Sequence, residues 1–133
     1  MSNLDKECFF CNRAKQESIY SSQFLFVVRD NKFPVTKHHT LIATHRHVSD
    51  FFDLNNDELS DLVKVLKKQR ELLLSLDKEI TGFNVGVNAG VDAGQSIMHC
   101  HIHLIPRRKG DMDNPRGGVR GVIPSKQKYI KWI

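Results

Sequence analysis

The sequence predicts an α+β fold in which a mostly antiparallel sheet of about five strands is covered by one long helix, with a short helix near the N-terminus. Three observations predict it: short apolar or alternating segments typical of strands, a single long segment with helical spacing, and the order β-β-α-β-β along the chain. A length of 133 residues suits one domain with its own core. We expect residues 1–133 to form that single domain, with residues 107–133 as a basic C-terminal extension.

Two strands are predicted before the helix. Residues 24–28, FLFVV, form a β-branched and aromatic run, and residues 40–44, TLIAT, form a second one. The segment between them, RDNKFPVTKHH, contains Pro34 and is predicted to be a loop.

The helix is predicted within residues 53–76. Asn55, followed three residues later by Glu58, forms a capping-box signature at its start. The apolar residues that then follow helical spacing are Leu59, Leu62, Val63, Leu66 and Leu73.

Two strands are predicted after the helix. Residues 82–90, GFNVGVNAG, alternate apolar with small or polar residues and end in a glycine turn, and residues 98–106, MHCHIHLIP, end at Pro106. Residues two apart in a strand share a face. We therefore expect one row of imidazoles, with the intervening side chains directed into the core. The row is His99, His101 and His103, and the core residues are Cys100, Ile102 and Leu104.

The composition, 40% hydrophobic and 26% charged, is typical of a soluble globular protein. No apolar run approaches the roughly 20 residues that a membrane helix needs, and the first residues, MSNLDKE, lack the pattern of a secretory signal. We expect a cytoplasmic protein that has no membrane partner. In that compartment its three cysteines serve more often as thiols or metal ligands than as disulfides.

The formal net charge of +5 favours an anionic ligand. Seven lysines and arginines lie between Arg107 and Lys128, and this clustering favours a ligand that carries phosphate. Nucleic acid is not the expected partner, because neither an aromatic-rich RNA-binding strand nor a recognition helix accompanies the charge. The alternative for this basic segment is a solvated surface or a segment packed in a dimer.

The row of histidines allows three interpretations. His-x-His on a strand is a chelating spacing for a metal. A neutral imidazole is also a nucleophile that neighbouring groups can assist. The third possibility is a set of histidines satisfied structurally in a polar groove. The pair Cys8 and Cys11 is likewise ambiguous, because Cys-x-x-Cys occurs in redox pairs and in metal sites.

The segment HCHIHLI resembles the signature of the histidine-triad (HIT) superfamily, His-φ-His-φ-His-φ-φ, where φ is apolar. Three further blocks resemble this family in the expected order: CFFC, HTLIATHRHVSDFFDL and GFNVGVNAGVDAGQSIMHCHIH. The resemblance extends to Arg108 and implies the HIT-like fold. It also implies a hydrolase or transferase acting at the α-phosphate of a purine nucleotide conjugate, either an adenosine phosphoramidate or a dinucleoside polyphosphate. Relatives with this pattern form twofold homodimers, so a homodimer is expected.

The resemblance implies four catalytic roles. His101 would attack the α-phosphorus and form a covalent nucleotidyl-histidine that water hydrolyses, which predicts retention at phosphorus. His103 would bind the scissile phosphate, and Ser96 would pass a proton to the leaving group. A fourth histidine backs the triad, and we expect His39 there, although His38 stands beside it.

The resemblance also implies the residues that bind the nucleotide. Asn88 and Gln95 would supply amide donors to phosphate, and Asp30 would accept hydrogen bonds from the ribose. Phe9 and Phe10 would line the base pocket. The structural alternatives are a turn role for Asn88, a loop role for Gln95, and a core position for one of the two phenylalanines.

The resemblance to bacterial members implies a structural zinc, and no catalytic cofactor is expected. Its ligands would be Cys8, Cys11, His47 and His99, which would staple the N-terminal segment to the histidine strand. Cys100 points to the opposite face and is excluded as a ligand. Two rival hypotheses remain: a non-catalytic nucleotide-binding or signalling module with the same fold, and a metalloenzyme that uses the triad as metal ligands. Ser96 and Asn88 favour a phosphoramidate substrate, whereas the basic segment favours a dinucleoside polyphosphate.

Overall fold

The computed structural model describes residues 7–12 and 16–129, and this part of the chain has the predicted α+β architecture. Its sheet is antiparallel throughout, in the order β1-β2-β3-β5-β4, so the histidine strand β5 lies between β3 and β4. The long elements are β1 (Ser18–Ser21), β2 (Leu25–Arg29), β3 (Thr40–Thr44), α1 (Asn56–Leu76), β4 (Ile80–Gly86) and β5 (His101–Arg108).

The short helix predicted near the N-terminus is not seen in residues 7–12, which form turns. Residues 1–6 and 13–15, where it could also fall, lie outside the described residues. The backbone N–H of Asn12 donates to the carbonyl of Cys8 at 3.2 Å, which closes a single turn. Strand β1 was not located from the sequence, because it is short and mostly exposed and becomes a strand by pairing with β2.

Helix α1 begins at the predicted capping box. The Asn55 side chain accepts from the N–H of Glu58 at 2.8 Å, and the Glu58 carboxylate accepts from the N–H of Asn55 at 3.0 Å. The inward-facing stripe passes through Val65 rather than Val63, which is 52% exposed. The prediction for Val63 was therefore wrong, because a stripe that steps by three or four residues continues from Leu62 to Val65. The buried helix residues are Glu58, Leu62, Val65, Gln69 and Leu73.

The core lies between α1 and one face of the sheet. Cys100, Ile102 and Leu104 are at most 2% exposed and pack into this core, as the alternation predicted. A second apolar cluster lies on the histidine face, where the N-terminal turn covers β2 and β3. Its buried members are Phe10, Phe26, Val28 and Ala43. Strand β2 is consequently buried on both faces.

The last two strands are shifted from their predicted bounds. Strand β4 begins at Ile80 and ends at Gly86, so residues 87–90 leave the sheet. Strand β5 begins at His101 and continues through Pro106 to Arg108. The prediction that Pro106 ends the strand was wrong, because β3 pairs only with residues 101–104. The proline carbonyl accepts from the Thr36 hydroxyl at 2.6 Å, so its backbone faces the loop beyond β3, where a missing N–H breaks no strand pairing.

Within the described part of the chain, no helix has the length and apolar character needed to cross a membrane.

Candidate functional site

Three imidazole rings lie side by side on the sheet face opposite α1. The ring centroids of His101 and His103 are 5.3 Å apart, and those of His103 and His39 are 5.1 Å apart. His101 and His103 come from the middle of the sheet on β5, whereas His39 immediately precedes β3. The register of β3 and β5 therefore fixes the rings relative to one another.

Hydrogen bonding defines which nitrogen of His101 is available for chemistry. Its Nδ1–H donates to the backbone carbonyl of His99 at 2.8 Å, which leaves the lone pair on Nε2. Burial lowers the pKa of His101, and the bond to His99 and the charge of Asp30 oppose this only in part. The ring is thus a neutral imidazole near pH 7 with a defined nucleophilic nitrogen.

A chain of hydrogen bonds similarly orients His103. The backbone N–H of Val35 donates to Nδ1 of His39 at 3.0 Å, so the proton of His39 is on Nε2. This Nε2–H faces Nδ1 of His103 at 2.9 Å, and His103 therefore keeps its own proton on Nε2. Burial is the main cause that lowers the pKa of His39 and, to about 4, that of His103. Neutral His103 can then present an N–H donor to a phosphate oxygen.

The backing position is occupied by His39 rather than His38. His38 has a φ of 73°, in the left-handed region where glycine is favoured. This backbone turn places the His39 ring against His103, with the Asp30 carboxylate 4.0 Å from Nδ1 of His39. His39 is the histidine that the resemblance predicted at this position.

A second cluster unites the four predicted metal ligands. One donor atom from each of Cys8, Cys11, His47 and His99 lies within 4.8 Å of all the others. The two Nδ1 atoms are 3.2 Å apart, and three sulfur–nitrogen distances are 3.1 to 3.4 Å. Tetrahedral zinc with ordinary bond lengths has edges of about 3.3 Å between nitrogens and about 3.6 Å between nitrogen and sulfur. Both the donor types and their spacing fit such an ion.

The His99 ring has the tautomer that a metal ligand requires. Its Nε2–H donates to the backbone carbonyl of Thr44 at 2.7 Å, which leaves the lone pair on Nδ1 facing the cluster. His99 is fully buried, and burial is the main cause of its lowered pKa. A buried neutral imidazole that donates its other N–H to a carbonyl is the usual form of a histidine ligand.

Thr44 was not identified from the sequence as part of this site. Its hydroxyl donates to the carbonyl of Arg46 at 2.7 Å and lies 3.3 Å from Nε2 of His99. Arg46 in turn binds the buried Glu58 carboxylate through Nε and through a terminal nitrogen at 2.7 Å. The turn that carries His47 is therefore fastened to the first turn of α1. No motif in the sequence marked Thr44, because its burial and its contacts are seen only in the folded chain.

A pocket of about 360 Å³ lies beside the imidazole row, and its lining includes Phe9, Phe10, Asp30, Leu41 and Ile97. Phe9 is 41% exposed, whereas Phe10 is fully buried with its ring centroid 4.9 Å from that of His101. One phenylalanine thus faces the pocket from the surface, and the other joins the core. Asp30 accepts a hydrogen bond from the N–H of Phe33 at 3.0 Å, which fixes its carboxylate at the pocket edge.

The polar residues of the following loop have different positions. The Gln95 amide is 5% exposed, donates to the carbonyls of Ser49 and Ile97, and accepts from the N–H of Gly90. It therefore holds the loop together. The Asn88 side chain lies beside Gly94, since a Cβ built there would be 3.9 Å from its Nδ2.

Ser96 is exposed, and it lines an opening of about 340 Å³ together with Cys8 and His47. The structure places it beside the predicted metal ligands rather than in the pocket that Phe9 and Asp30 line.

The basic segment after β5 is partly neutralised by carboxylates. Arg107 binds Asp111 through two nitrogens at 2.8 Å and also Asn84, and Arg108 binds Asp77 at 2.9 Å. These two arginines fasten the end of β5 to neighbouring segments. Their pairing is compatible with a structural role for the start of the predicted extension.

Comparison with known proteins gives consistent matches. Residues 12–110 match the family model of the HIT domain. An uncharacterised HIT-like protein of Methanocaldococcus jannaschii is 34% identical over 108 residues, covering 78% of this chain and 81% of that protein. The asymmetrical bis(5'-nucleosyl)-tetraphosphatase of Schizosaccharomyces pombe is 30% identical over 108 residues, covering 81% of this chain, which spans 59% of the length of that relative. Among solved structures, a zinc-bound histidine triad family protein of Mycobacterium smegmatis is similar with a TM-score of 0.72 and 27% identity, covering 81% of this chain and 80% of the other.

Proposed function

The chain belongs to the HIT family, and on that premise we propose that it is a nucleotidyl hydrolase acting at the α-phosphate of a purine nucleotide conjugate. The observation that carries the proposal is the state of His101: its Nδ1–H is held by the His99 carbonyl at 2.8 Å, and its Nε2 is free for attack. A neutral buried imidazole with one defined lone pair is suited to nucleophilic catalysis. The fixed pairing of His103 with His39 supplies a donor for phosphate beside it.

In the proposed reaction, Nε2 of His101 attacks the α-phosphorus. A phosphorus–nitrogen bond forms as the bond to the leaving nitrogen or oxygen breaks, and the His99 carbonyl stabilises the resulting imidazolium through Nδ1–H. The Nε2–H of His103 donates to a phosphate oxygen, where negative charge develops. Water then attacks phosphorus, the phosphorus–nitrogen bond breaks, and a nucleoside monophosphate leaves with neutral His101 restored. Two displacements predict retention at phosphorus.

The residues around this centre have supporting roles in the proposal. Phe9 contacts the base, and Asp30 accepts hydrogen bonds from the ribose hydroxyls. Asn88 donates to the phosphate, and Gln95 keeps the loop in place through its three backbone bonds. Ser96 delivers the proton to the leaving group, which requires the leaving group to extend toward the opening beside His47.

The substrate class is proposed to be an adenosine phosphoramidate or a dinucleoside polyphosphate. The name of the Schizosaccharomyces pombe relative supports the second. Intact-protein mass spectrometry after brief mixing with each substrate, with a mildly basic quench, tests both. We expect an adenylate-sized mass increase on the wild-type protein, and the substrate that turns over faster identifies the class.

His101→Asn is the matched variant, because an asparagine amide can still donate to the His99 carbonyl but cannot attack phosphorus. The variant should fold and bind AMP without forming the adduct. Binding of nucleotide by the wild type with neither adduct nor hydrolysis would instead favour a non-catalytic module. Loss of chemistry on chelation in a protein that stays folded would favour a metalloenzyme.

We also propose that Cys8, Cys11, His47 and His99 bind a structural zinc ion. The spacing of the donor atoms and the tautomer of His99 support it. Zinc there would fasten the N-terminal turn to the residues before β5. Metal analysis of the purified protein should give one zinc per chain, and Cys11→Ser should lose it. Cys100→Ala is the matched control, because Cys100 is buried on the opposite face and should leave the zinc content unchanged.

A homodimer is the proposed assembly. In the described sheet β4 pairs only with β5, so its other edge is open to a second chain, and Val85 on this strand is 48% exposed. Light scattering coupled to gel filtration should give twice the mass of one chain. A monomer at micromolar concentration would contradict this proposal without affecting the chemistry.

A further inference from the structure

The proposed metal site and the proposed base pocket share one short turn. Phe9 and Phe10 lie between Cys8 and Cys11, so both ends of the aromatic dipeptide are metal ligands. Phe9 lines the pocket, and its ring centroid is 5.2 Å from that of Phe10. Any shift of the two cysteines therefore moves a wall of the pocket.

Phe10 connects the two sites through ring contacts. Its fully buried ring lies 5.7 Å from the ring of the ligand His99 and 4.9 Å from the ring of His101, centroid to centroid. In the second apolar cluster, to which Phe10 belongs, its ring centroid is 6.3 Å from that of Phe26. Because protein interiors are close-packed, a change in the position of Phe10 is transmitted to its neighbours.

His99 provides a second connection that does not involve the turn. Its ring faces the metal cluster through Nδ1, while its backbone carbonyl accepts from Nδ1–H of His101. The same residue therefore contributes a side chain to one site and a backbone acceptor to the other. Movement of the His99 ring away from the cluster would disturb the orientation of His101.

The positions of the donor atoms indicate what the ion contributes. Nδ1 of His47 and Nδ1 of His99 are 3.2 Å apart, with the two cysteine sulfurs 3.1 to 3.4 Å from these nitrogens. A cation bound by these four donor atoms would hold both ends of the Cys8–Cys11 turn against His47 and His99. Ordering the turn costs conformational entropy. A bound ion would order the turn before the nucleotide binds, so the free-energy cost of nucleotide binding would be smaller.

We propose that the Cys8–Cys11 turn couples the two sites, so that zinc and nucleotide each raise the affinity of the protein for the other. This inference rests on the proposed nucleotide pocket and the proposed zinc site. Coupling between binding sites is reciprocal, and its usual size is about 5- to 150-fold in affinity. For one turn with two shared contacts we expect about tenfold in both directions.

The first experiment measures AMP binding by calorimetry to the zinc-loaded protein and to the protein stripped with a chelator, with circular dichroism as the test of folding. We expect AMP to bind about tenfold more weakly to the stripped protein. The second experiment avoids stripping: zinc release from the loaded protein into excess chelator is timed with and without saturating AMP. We expect AMP to slow zinc release several-fold.

Phe9→Leu separates the two sites, because it changes the pocket wall and keeps all four ligands. With each protein saturated by AMP and compared with its own release rate without AMP, Phe9→Leu should show a smaller AMP-induced slowing of zinc release than the wild type. Phe52→Leu is the matched control, since Phe52 is 80% exposed and lies outside the lining of the pocket, and it should behave as the wild type.

Equal AMP affinities and equal release rates in a protein that binds both ligands would overturn the coupling and leave the proposed function intact. A loaded protein that does not bind AMP, or a protein that does not bind zinc, would overturn the coupling together with the proposal on which it rests.

Discussion

Thr44→Val tests whether a single hydroxyl positions two metal ligands. The substitution keeps the size and β-branching of the side chain, and it keeps the backbone carbonyl that accepts from His99. It removes the donor to the Arg46 carbonyl at 2.7 Å and the oxygen 3.3 Å from Nε2 of His99. The turn that carries His47 then loses its tie to the end of β3.

Thr44→Val is expected to reduce both the free energy of unfolding and the affinity for zinc. Loss of the hydrogen bond to the partly buried Arg46 carbonyl costs about 0.5–1.5 kcal/mol of folding free energy, which urea unfolding measures. Loss of a hydrogen bond that orients a ligand lowers metal affinity about 10- to 100-fold, which competition with a chromogenic chelator measures. We expect Thr44→Val to show both effects and Thr44→Ser, which retains the hydroxyl, to bind zinc almost as the wild type does.

Thr40→Val is the second control. Thr40 is also fully buried, at the other end of β3, and its hydroxyl accepts from Arg29 and donates to the carbonyl of His38. It should lose stability to a similar extent and keep its zinc affinity. If Thr44→Val binds zinc as tightly as Thr40→Val does, the hydroxyl does not position the ligands and the reasoning is refuted.

Other side chains near the site lead to three more predictions. Burial is the main cause that lowers the pKa of His103 to about 4, whereas a histidine in the unfolded chain has a pKa of about 6.5. The unfolded state therefore binds the proton more readily, so the free energy of unfolding is highest above pH 6.5 and decreases as the pH falls toward 4. Urea midpoints should show that loss and His103→Asn should reduce it; an unchanged pH dependence in the variant would argue against this origin. Burial raises the pKa of Cys100 to about 12, so at pH 8 a thiol reagent should modify Cys8 in metal-free protein and reach Cys100 only on unfolding; fast labelling of Cys100 in the folded state would contradict its burial. His38→Gly should raise the unfolding free energy by up to about 1 kcal/mol by removing a φ of 73° from a side-chain-bearing residue, and a lower melting temperature would show that the His38 side chain contributes more than the strain costs.

The spacing of apolar residues predicted those strands and helices that bury one regular face of side chains. Strand β5 alternates between core and site as expected, and α1 begins at the predicted cap. Strand β1 has no such pattern because it is mostly exposed, and it becomes a strand only through its hairpin pairing with β2. Val63 was misassigned because single positions at the edge of a helical stripe depend on how the helix rotates against the sheet.

The sequence motifs identified the predicted site residues, but they did not identify the residues that hydrogen-bond to them. The four predicted metal ligands lie together as the resemblance implied, since each is specified by its own side chain. The part of Thr44 was not predictable, because its carbonyl orients His99 and every residue has a carbonyl. Gln95 was expected to face phosphate, yet its amide is bonded to backbone groups, one of them from distant Ser49. His39 was predicted beside the triad and lies 2.9 Å from His103, whereas the left-handed backbone of His38 was not predicted.

The central position of β5 has a consequence for how the protein opens. His103 has a paired neighbour on each side, Leu41 on β3 and Gly86 on β4. Amides in a strand flanked on both sides exchange with deuterium mainly when the whole domain unfolds, whereas turns exchange through small local openings. Strand β5 should therefore be among the slowest-exchanging segments of the chain. Variation in substrate range is then left to the surrounding loops, which can change without unfolding the centre of the sheet.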